Sequence, residues 1–263
     1  MAVPRMKRAV LFLITAYVSV PVILYLFPWI LGHAIYAHLL RIPFFVDLGR
    51  PEQLLNHTCN FYLTTEEGVS VGVWHTLPAS QWEQAAGRGP EWYQETLGDG
   101  RPVIIYLHGN LGTRWDDAAG YHVLSLDYRG FGDSSGEPSE AGLTADALYL
   151  HQWVKTHSRG SRVCLWGHSL GSGVATNTAL KVQEQGEIKP LNLKTLMSPL
   201  LVLHAEDDDI VPYHMGLKLY EISLQAQRER NTEVQVQMIS YSANLGYSHN
   251  NIYLDPNLPK VVG

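Results

Sequence analysis

The strongest pattern in the chain is a long apolar run near its start. Arg5, Lys7 and Arg8 are charged, and then no Asp, Glu, Lys or Arg occurs from Ala9 to Leu40. A bilayer core needs about 20 apolar residues of helix. A helix satisfies its own backbone hydrogen bonds in lipid, where an open strand does not. The pattern predicts a spanning helix over residues 9–31, kinked at Pro21 and Pro28, with Tyr25, Trp29 and Tyr36 at the far interface. Two alternatives stay open. A cleaved signal peptide has an apolar core of only about 7–15 residues, shorter than this run. A hairpin or interfacial helix would let the stretch from His33 to Leu40 lie along the surface. Three positive charges precede the run, which predicts that residues 1–8 are cytosolic and that the bulk of the chain lies across the membrane. On that far side, in a juxtamembrane segment over residues 32–60, Asn56-His57-Thr58 forms a glycosylation sequon, so a glycan is expected at Asn56.

Beyond the membrane segment the hydrophobic period changes. Phe61 to Leu63 and Val69 to Trp74 flank Thr64-Thr65-Glu66-Glu67-Gly68 and predict an antiparallel hairpin. Pro78 to Arg101 predicts a surface loop with one short helix around Trp92. Val103–Leu107, Val123–Leu126, Arg162–Trp166 and Leu200–Leu203 are short apolar runs of the kind buried on both faces of a sheet. Leu143, Ala147, Leu150 and Val154 recur at helical spacing within Ala141–Lys155. Helices are further expected over Leu170–Val182 and Gly216–Ser223, and a last strand over Glu233–Ile239. Strands alternating with helices predict an α/β fold with a mostly parallel sheet. Its ligand site is expected beyond the carboxyl ends of the strands.

Composition narrows the function. Of 263 residues, 46% are hydrophobic and 17% charged, with a net charge of -6. That balance excludes a disordered chain and a basic nucleic-acid-binding module. Two cysteines exclude a disulfide scaffold and a four-cysteine zinc site. His168, His204 and His249 lack metal-ligand spacing, and no phosphate-binding G-x-x-x-x-G-K-[ST] run occurs, so neither metal nor cofactor is expected.

The candidate chemistry centres on Gly167-His168-Ser169-Leu170-Gly171. This G-x-S-x-G segment lies between a predicted strand and a predicted helix, the context that holds a nucleophilic serine at a sharp turn. Gly167 and Gly171 permit the close backbone approach. Gly173 and Ala175 are expected to keep the following helix slim against the sheet. A serine nucleophile needs a base, and the base an orienting carboxylate, in the chain order Ser, acid, His. Asp208, directly after the strand Leu200–Leu203, is the chosen acid; Asp207 and Asp209 are expected to face solvent or cap the next helix. His249, in the loop after the last strand, is the chosen base, and His214 a surface group. The oxyanion donors are expected to be the N–H groups of Leu170 and of Asn110, which ends Leu107-His108-Gly109-Asn110, with His108 structural. Arg129, in the turn-rich Asp127–Ser134 loop, is expected to pair with Asp127 or Asp133.

Taken together these motifs resemble the α/β-hydrolase superfamily. The chain is similar, within it, to the membrane-anchored lysophosphatidylserine and monoacylglycerol lipases of the α/β-hydrolase domain-containing group. Leu55-Asn56-His57-Thr58-Cys59-Asn60, Gly72-Val73-Trp74-His75-Thr76 and Tyr106-Leu107-His108-Gly109-Asn110 carry the likeness. So do Tyr121 to Ser134, the Trp166–Gly171 elbow, Leu203-His204-Ala205-Glu206-Asp207-Asp208 and Leu245-Gly246-Tyr247-Ser248-His249. The resemblance implies a single-pass protein of the endoplasmic reticulum with a lumenal hydrolase domain over residues 61–263. It implies Ser169, Asp208 and His249 as the triad, and lysophospholipids or monoacylglycerols as substrates.

Two intervals depart from the family. The connection between Asn110 and Tyr121 is short, and Leu191–Met197 runs almost directly into Ser198-Pro199, where the family has another strand and a lipid-covering cap. The tail also stops at Gly263, where the family continues into a closing helix. These departures predict a hydrolase fold with one strand and the cap shortened or missing. They leave two functions open: an active monoacyl-lipid hydrolase, or a catalytically impaired member acting as a binding or structural protein. A peptidase or thioesterase on the same triad is a milder variant.

Overall fold

The computed structural model describes residues 2–38, 46–55, 57–110, 112, 120–183, 198–230 and 235–262. The chain begins with helix α1 (Ala2–Leu26) and helix α2 (Pro28–Tyr36). Within α1 the segment Met6–Leu26 is long and apolar enough to cross a membrane, and none of it is buried in the protein. At 1.5 Å per residue its 21 residues extend about 31 Å, matching a bilayer core. Pro21 sits inside α1. The expected single helix to residue 31 is instead broken at Phe27, whose φ of -128° and ψ of 69° are not helical. Pro28 forces this, because a residue before proline is pushed out of the helical region. Tyr36, expected at a membrane interface, instead packs edge-on against Phe131 of the folded domain, at 6.5 Å between ring centroids. Asn56 and the side chain of Trp29 lie outside the described residues.

The folded domain starts with the hairpin β1 (Thr58–Glu66) and β2 (Val69–Thr76). Its turn is tighter than the expected five residues: Glu67-Gly68 closes it, with Gly68 at φ 78°, and a bulge between Thr64 and Glu66 absorbs the offset. Helix α3 (Pro90–Thr96) fills the following loop region. Then come β3 (Val103–Leu107), β4 (His122–Leu126), helix α4 (Glu140–His157), β5 (Val163–Gly167) and helix α5 (Leu170–Gln183). The sheet order is β1-β2-β4-β3-β5. The pairs β3/β4 and β3/β5 are parallel, and the hairpin adds antiparallel strands at one edge. β3 and β4 are central and almost wholly buried, as their unbroken apolar runs require. Val103, Ile105, Leu107, Leu124 and Leu126 pack with Leu143, Ala147, Leu150 and Val154 of α4.

The second half forms its own small sheet. β6 (Leu200–Ala205) pairs in parallel with β7 (Val236–Tyr241), connected through helix α6 (Tyr213–Arg230). The helix is longer at both ends than its apolar spacing predicted. A short helix α7 (Leu258–Val262) follows. Among the described residues β5 and β6 do not pair; residues 184–197, where the sequence predicted a missing strand and cap, lie outside the described residues.

Several side chains differ from expectation. Arg129 pairs with neither Asp127 nor Asp133. Its guanidinium bonds Asp146 at 2.8 and 3.0 Å and Glu66 at 3.0 and 3.2 Å. Asp133 instead accepts from Tyr62 Oη. Gly173 does not touch the sheet: a Cβ there would meet open space. The buried residues of α5 are Gly171, Val174, Thr178 and Leu180, and Gly173 is exposed.

Candidate active site

Ser169 sits between the end of β5 and the first turn of α5, with φ at 52°. This left-handed conformation is rare for a non-glycine residue and marks local strain. The two flanking glycines show why the turn closes. A Cβ on Gly167 would lie 2.2 Å from the Gly171 carbonyl oxygen, and one on Gly171 would lie 1.9 Å from the Leu107 carbonyl oxygen. Backbone hydrogen bonds from His168 N–H to Leu107 and from Gly171 N–H to His168 fix the apex against β3.

The loop after β3 comes close to the same apex. A Cβ on Gly109 would touch the Ser169 Cβ at 3.0 Å. Among the described residues neither the Leu170 nor the Asn110 N–H, the expected oxyanion donors, donates to a backbone carbonyl. The Asn110 side chain donates through Nδ2 to the Ile35 carbonyl of α2 at 2.9 Å. His108 is buried, with Nδ1 2.8 Å from the Gly109 oxygen and Nε2 3.4 Å from Asp127. That is a structural position.

Asp208 follows β6 and His249 follows β7, and the parallel pairing of those strands brings their two loops together. His249 Nδ1 lies 2.9 and 3.0 Å from the two Asp208 oxygens. A carboxylate only accepts, so Nδ1 carries the proton and Nε2 is left as the basic nitrogen. Asp208 also accepts from the N–H groups of Ile210 at 2.9 Å and Val211 at 2.8 Å. Burial pushes the Asp208 carboxyl up, but the bonds from His249, Val211 and Ile210 outweigh it and hold it below the usual carboxylate value.

The two halves meet at His168. Its Nε2 donates to the His249 carbonyl oxygen at 3.0 Å, and the two rings lie 5.2 Å apart. Burial lowers the His168 pKa, and the bond to the His249 carbonyl acts in the other direction. Ser169 and His249 form no hydrogen bond to each other. The expected serial contact of hydroxyl, imidazole and carboxylate is therefore formed at its second link and open at its first. With β5 and β6 unpaired, the His168 bond holds the histidine loop beside the elbow.

Other bonds in this region join residues far apart in sequence, and sequence reading missed them. Asp207 accepts from Ser248 N–H and Asp209 from Ser248 Oγ, each at 3.1 Å. These carboxylates stitch the acid loop to the histidine loop. His204 bonds the Val211 carbonyl at 2.9 Å and lies 3.4 Å from Asp208. Gly216 leaves room for it, since a Cβ there would sit 2.0 Å from His204 Nδ1. His214 is exposed, as expected. Among the described residues no cluster of His, Cys, Asp or Glu could hold a metal ion.

A family model described as alpha/beta hydrolase fold matches residues 102–189. The lysophosphatidylserine lipase ABHD12 of Xenopus tropicalis is 39% identical over 317 aligned positions, covering 98% of this chain and 82% of that protein. The Gallus gallus protein of the same name is 38% identical with similar coverage. Human protein ABHD12B is 39% identical over 85% of this chain and 76% of its own length. The aligned length of 317 exceeds the 263 residues of this chain, so these relatives carry residues that have no counterpart here. Among solved structures, the Pyrococcus furiosus esterase Pf2001 superposes with a TM-score of 0.58 at 17% identity, covering 84% of this chain and 93% of that one. The G-x-S-x-G elbow, the carboxylate–imidazole pair and these relatives agree: the chain belongs to the α/β-hydrolase family, in the ABHD12 group.

Proposed function

We propose that this chain is a membrane-anchored serine lipase that hydrolyses monoacyl lipids, among them lysophosphatidylserine, the substrate named for its relatives. The observation that carries the proposal is the Asp208–His249 pair, 2.9 Å apart, held beside a Ser169 in the left-handed conformation. In this mechanism the Ser169 hydroxyl attacks the ester carbonyl and His249 Nε2 takes its proton. Asp208 fixes the imidazole tautomer and stabilises the imidazolium. The Leu170 and Asn110 N–H groups bind the oxyanion. His249 passes the proton to the leaving glycerol oxygen, leaving an acyl-serine. Water deprotonated by His249 then releases the fatty acid and restores Ser169. Closure of the open Ser169–His249 link accompanies substrate binding, a tightening common to sites first seen without substrate.

The proposed topology has residues 1–8 in the cytosol, the anchor over α1, and the hydrolase domain in the lumen of the endoplasmic reticulum with a glycan on Asn56. A mobility shift on glycosidase treatment, absent in Asn56→Gln, is the expected result; unchanged mobility of the native protein contradicts this orientation. Catalysis is tested by fatty-acid release from lysophosphatidylserine in detergent micelles. Release that disappears in Ser169→Ala supports the lipase, and equal release by the two proteins overturns it.

A second reading has one specific observation behind it. The Ser169–His249 link, open while His249 bonds Asp208, suits a hydrolase scaffold that binds lipid without turning it over. Saturable lysolipid binding by folded protein, with no fatty-acid release, would select it.

A further inference from the structure

Outside α1 and α2, five large apolar side chains among the described residues are more than half exposed: Ile210, Met215, Leu245, Tyr253 and Leu254. Scattered exposed apolar residues are ordinary, but these all follow the two strands that lead to the acid and the base. Ile210 and Met215 follow β6, and Leu245, Tyr253 and Leu254 follow β7. Met215 lies in the first turn of α6, and the other four lie in the segments after β6 and β7 that carry Asp208 and His249. Bonds from Ser248 to Asp207 and Asp209, and from Ala243 N–H to Glu206, hold the loops together. The His168 bond to the His249 carbonyl holds them to the nucleophile elbow.

The membrane helix reaches the same rim. α2 continues from α1 after one residue, and its Ile35 carbonyl accepts from Asn110 beside the elbow. Nine helical residues extend about 14 Å, so the end of the candidate span lies about that far from the Ile35–Asn110 contact. The apolar phase closest to the five side chains is therefore the bilayer that holds α1.

We infer that this rim is a membrane-docking surface: Ile210, Met215, Leu245, Tyr253 and Leu254 enter the headgroup boundary and turn the mouth beside Ser169 toward the bilayer. The inference rests on the anchored reading of α1. Apolar side chains buried at the headgroup level give such a surface its hold. Glu206 and Asp209 share the acid loop, so a zwitterionic surface fits it better than an anionic one. A docked mouth would let a monoacyl lipid pass from the leaflet to Ser169 without crossing water. The bilayer would then cover the acyl chain in place of a protein cap.

The test uses the full chain in phosphatidylcholine vesicles, with Cys59 and Cys164 replaced by Ser and one environment-sensitive fluorophore at a time. Probes on Ile210→Cys and Leu254→Cys are expected to shift to the blue and to lose at least half their emission to lipids carrying a nitroxide near the headgroup. A probe on Tyr149→Cys, in α4, is expected to keep its emission. A probe on Tyr25→Cys reports the anchor itself. If the Tyr25 probe is quenched while the Ile210 and Leu254 probes are not, the docking surface is overturned and the anchor stands. If the Tyr25 probe is not quenched either, anchor and docking surface fall together. Equal quenching at Tyr149 also overturns the docking surface, because the contact would then be unoriented.

Discussion

At the scale of single residues, the site is defined by what two glycines and one carboxylate make room for. Gly171 sits against the Leu107 carbonyl, and Gly173, two residues on, meets open space. Gly171→Ala is therefore expected to abolish the folded elbow or lower its stability by several kcal/mol, of the order of other severe steric changes. Gly173→Ala is expected to stabilise the protein by up to about 1 kcal/mol, through helix propensity and a less flexible unfolded chain. Urea titration of the two variants measures this opposition. The G-x-S-x-G segment made Gly167 and Gly171 legible in the sequence, because their spacing reports a turn of known shape. Gly173 looked equivalent because composition alone does not tell which face of a helix a residue occupies. Asp208 provides a second prediction. Asp208→Asn keeps the size of the side chain but favours the wrong imidazole tautomer, so the turnover number is expected to fall roughly ten-thousand-fold. Because hydrogen bonds hold Asp208 below the ordinary carboxylate value, its protonation is not expected to supply the acid limb of the pH–rate profile.

Among the elements, what the sequence made legible follows burial. β3 and β4 are flanked on both faces and wrote themselves as apolar runs. The hairpin and α4 were equally visible, from alternation and from helical spacing. Interactions between elements were not. Arg129 has acids at Asp127 and Asp133, yet it bonds Asp146, 17 residues on, and Glu66, 63 residues back. Its chain direction after β4 and the phase of α4 decide the partner, and neither is written near Arg129. Arg129 and Asp146 are buried, and their pairing ties α4 to the β1–β2 hairpin through Glu66. Removing the guanidinium leaves Asp146 buried without its countercharge, although the Thr65 hydroxyl and the Arg129 N–H still donate to it. Arg129→Met is thus expected to cost about 3–5 kcal/mol. Thermal unfolding compared with the native protein checks this, and a change under 1 kcal/mol would show that the network contributes little.

At the scale of the whole molecule, the described residues form a five-stranded sheet and a two-stranded sheet joined around one rim, with the apolar N-terminal helix tied to that rim through α2. The short interval before Ser198-Pro199 predicted a break between β5 and β6, and those two strands do not pair among the described residues. The bond that bridges it, from His168 to the His249 carbonyl, was not legible in the sequence, because it joins residues 81 apart. The hydrolase domain also has a pH response away from the site. His75 Nε2 lies 3.0 Å from His122 Nδ1, and His122 Nε2 lies 3.3 Å from Asp99. Burial lowers the pKa of both imidazoles; their neighbour Tyr93 is uncharged, while Asp99 raises and Arg101 lowers the His122 value. In the unfolded chain both take up protons near pH 6.5. The unfolded state therefore binds more protons than the folded one as the pH falls below that value, and stability drops. Urea titrations at pH 7.5 and 5.5 are expected to show this loss, and His122→Asn is expected to reduce its size.

The central claim is that Ser169 is an activated nucleophile assembled by loops from both sheets. Labelling of the membrane-embedded protein with a fluorophosphonate, followed by mass mapping of the adduct, tests it most directly. The adduct is expected on Ser169, absent in Ser169→Ala and at least a hundredfold slower to form in His249→Ala. Folded native protein that takes no label, or that takes it at another residue, would contradict the claim.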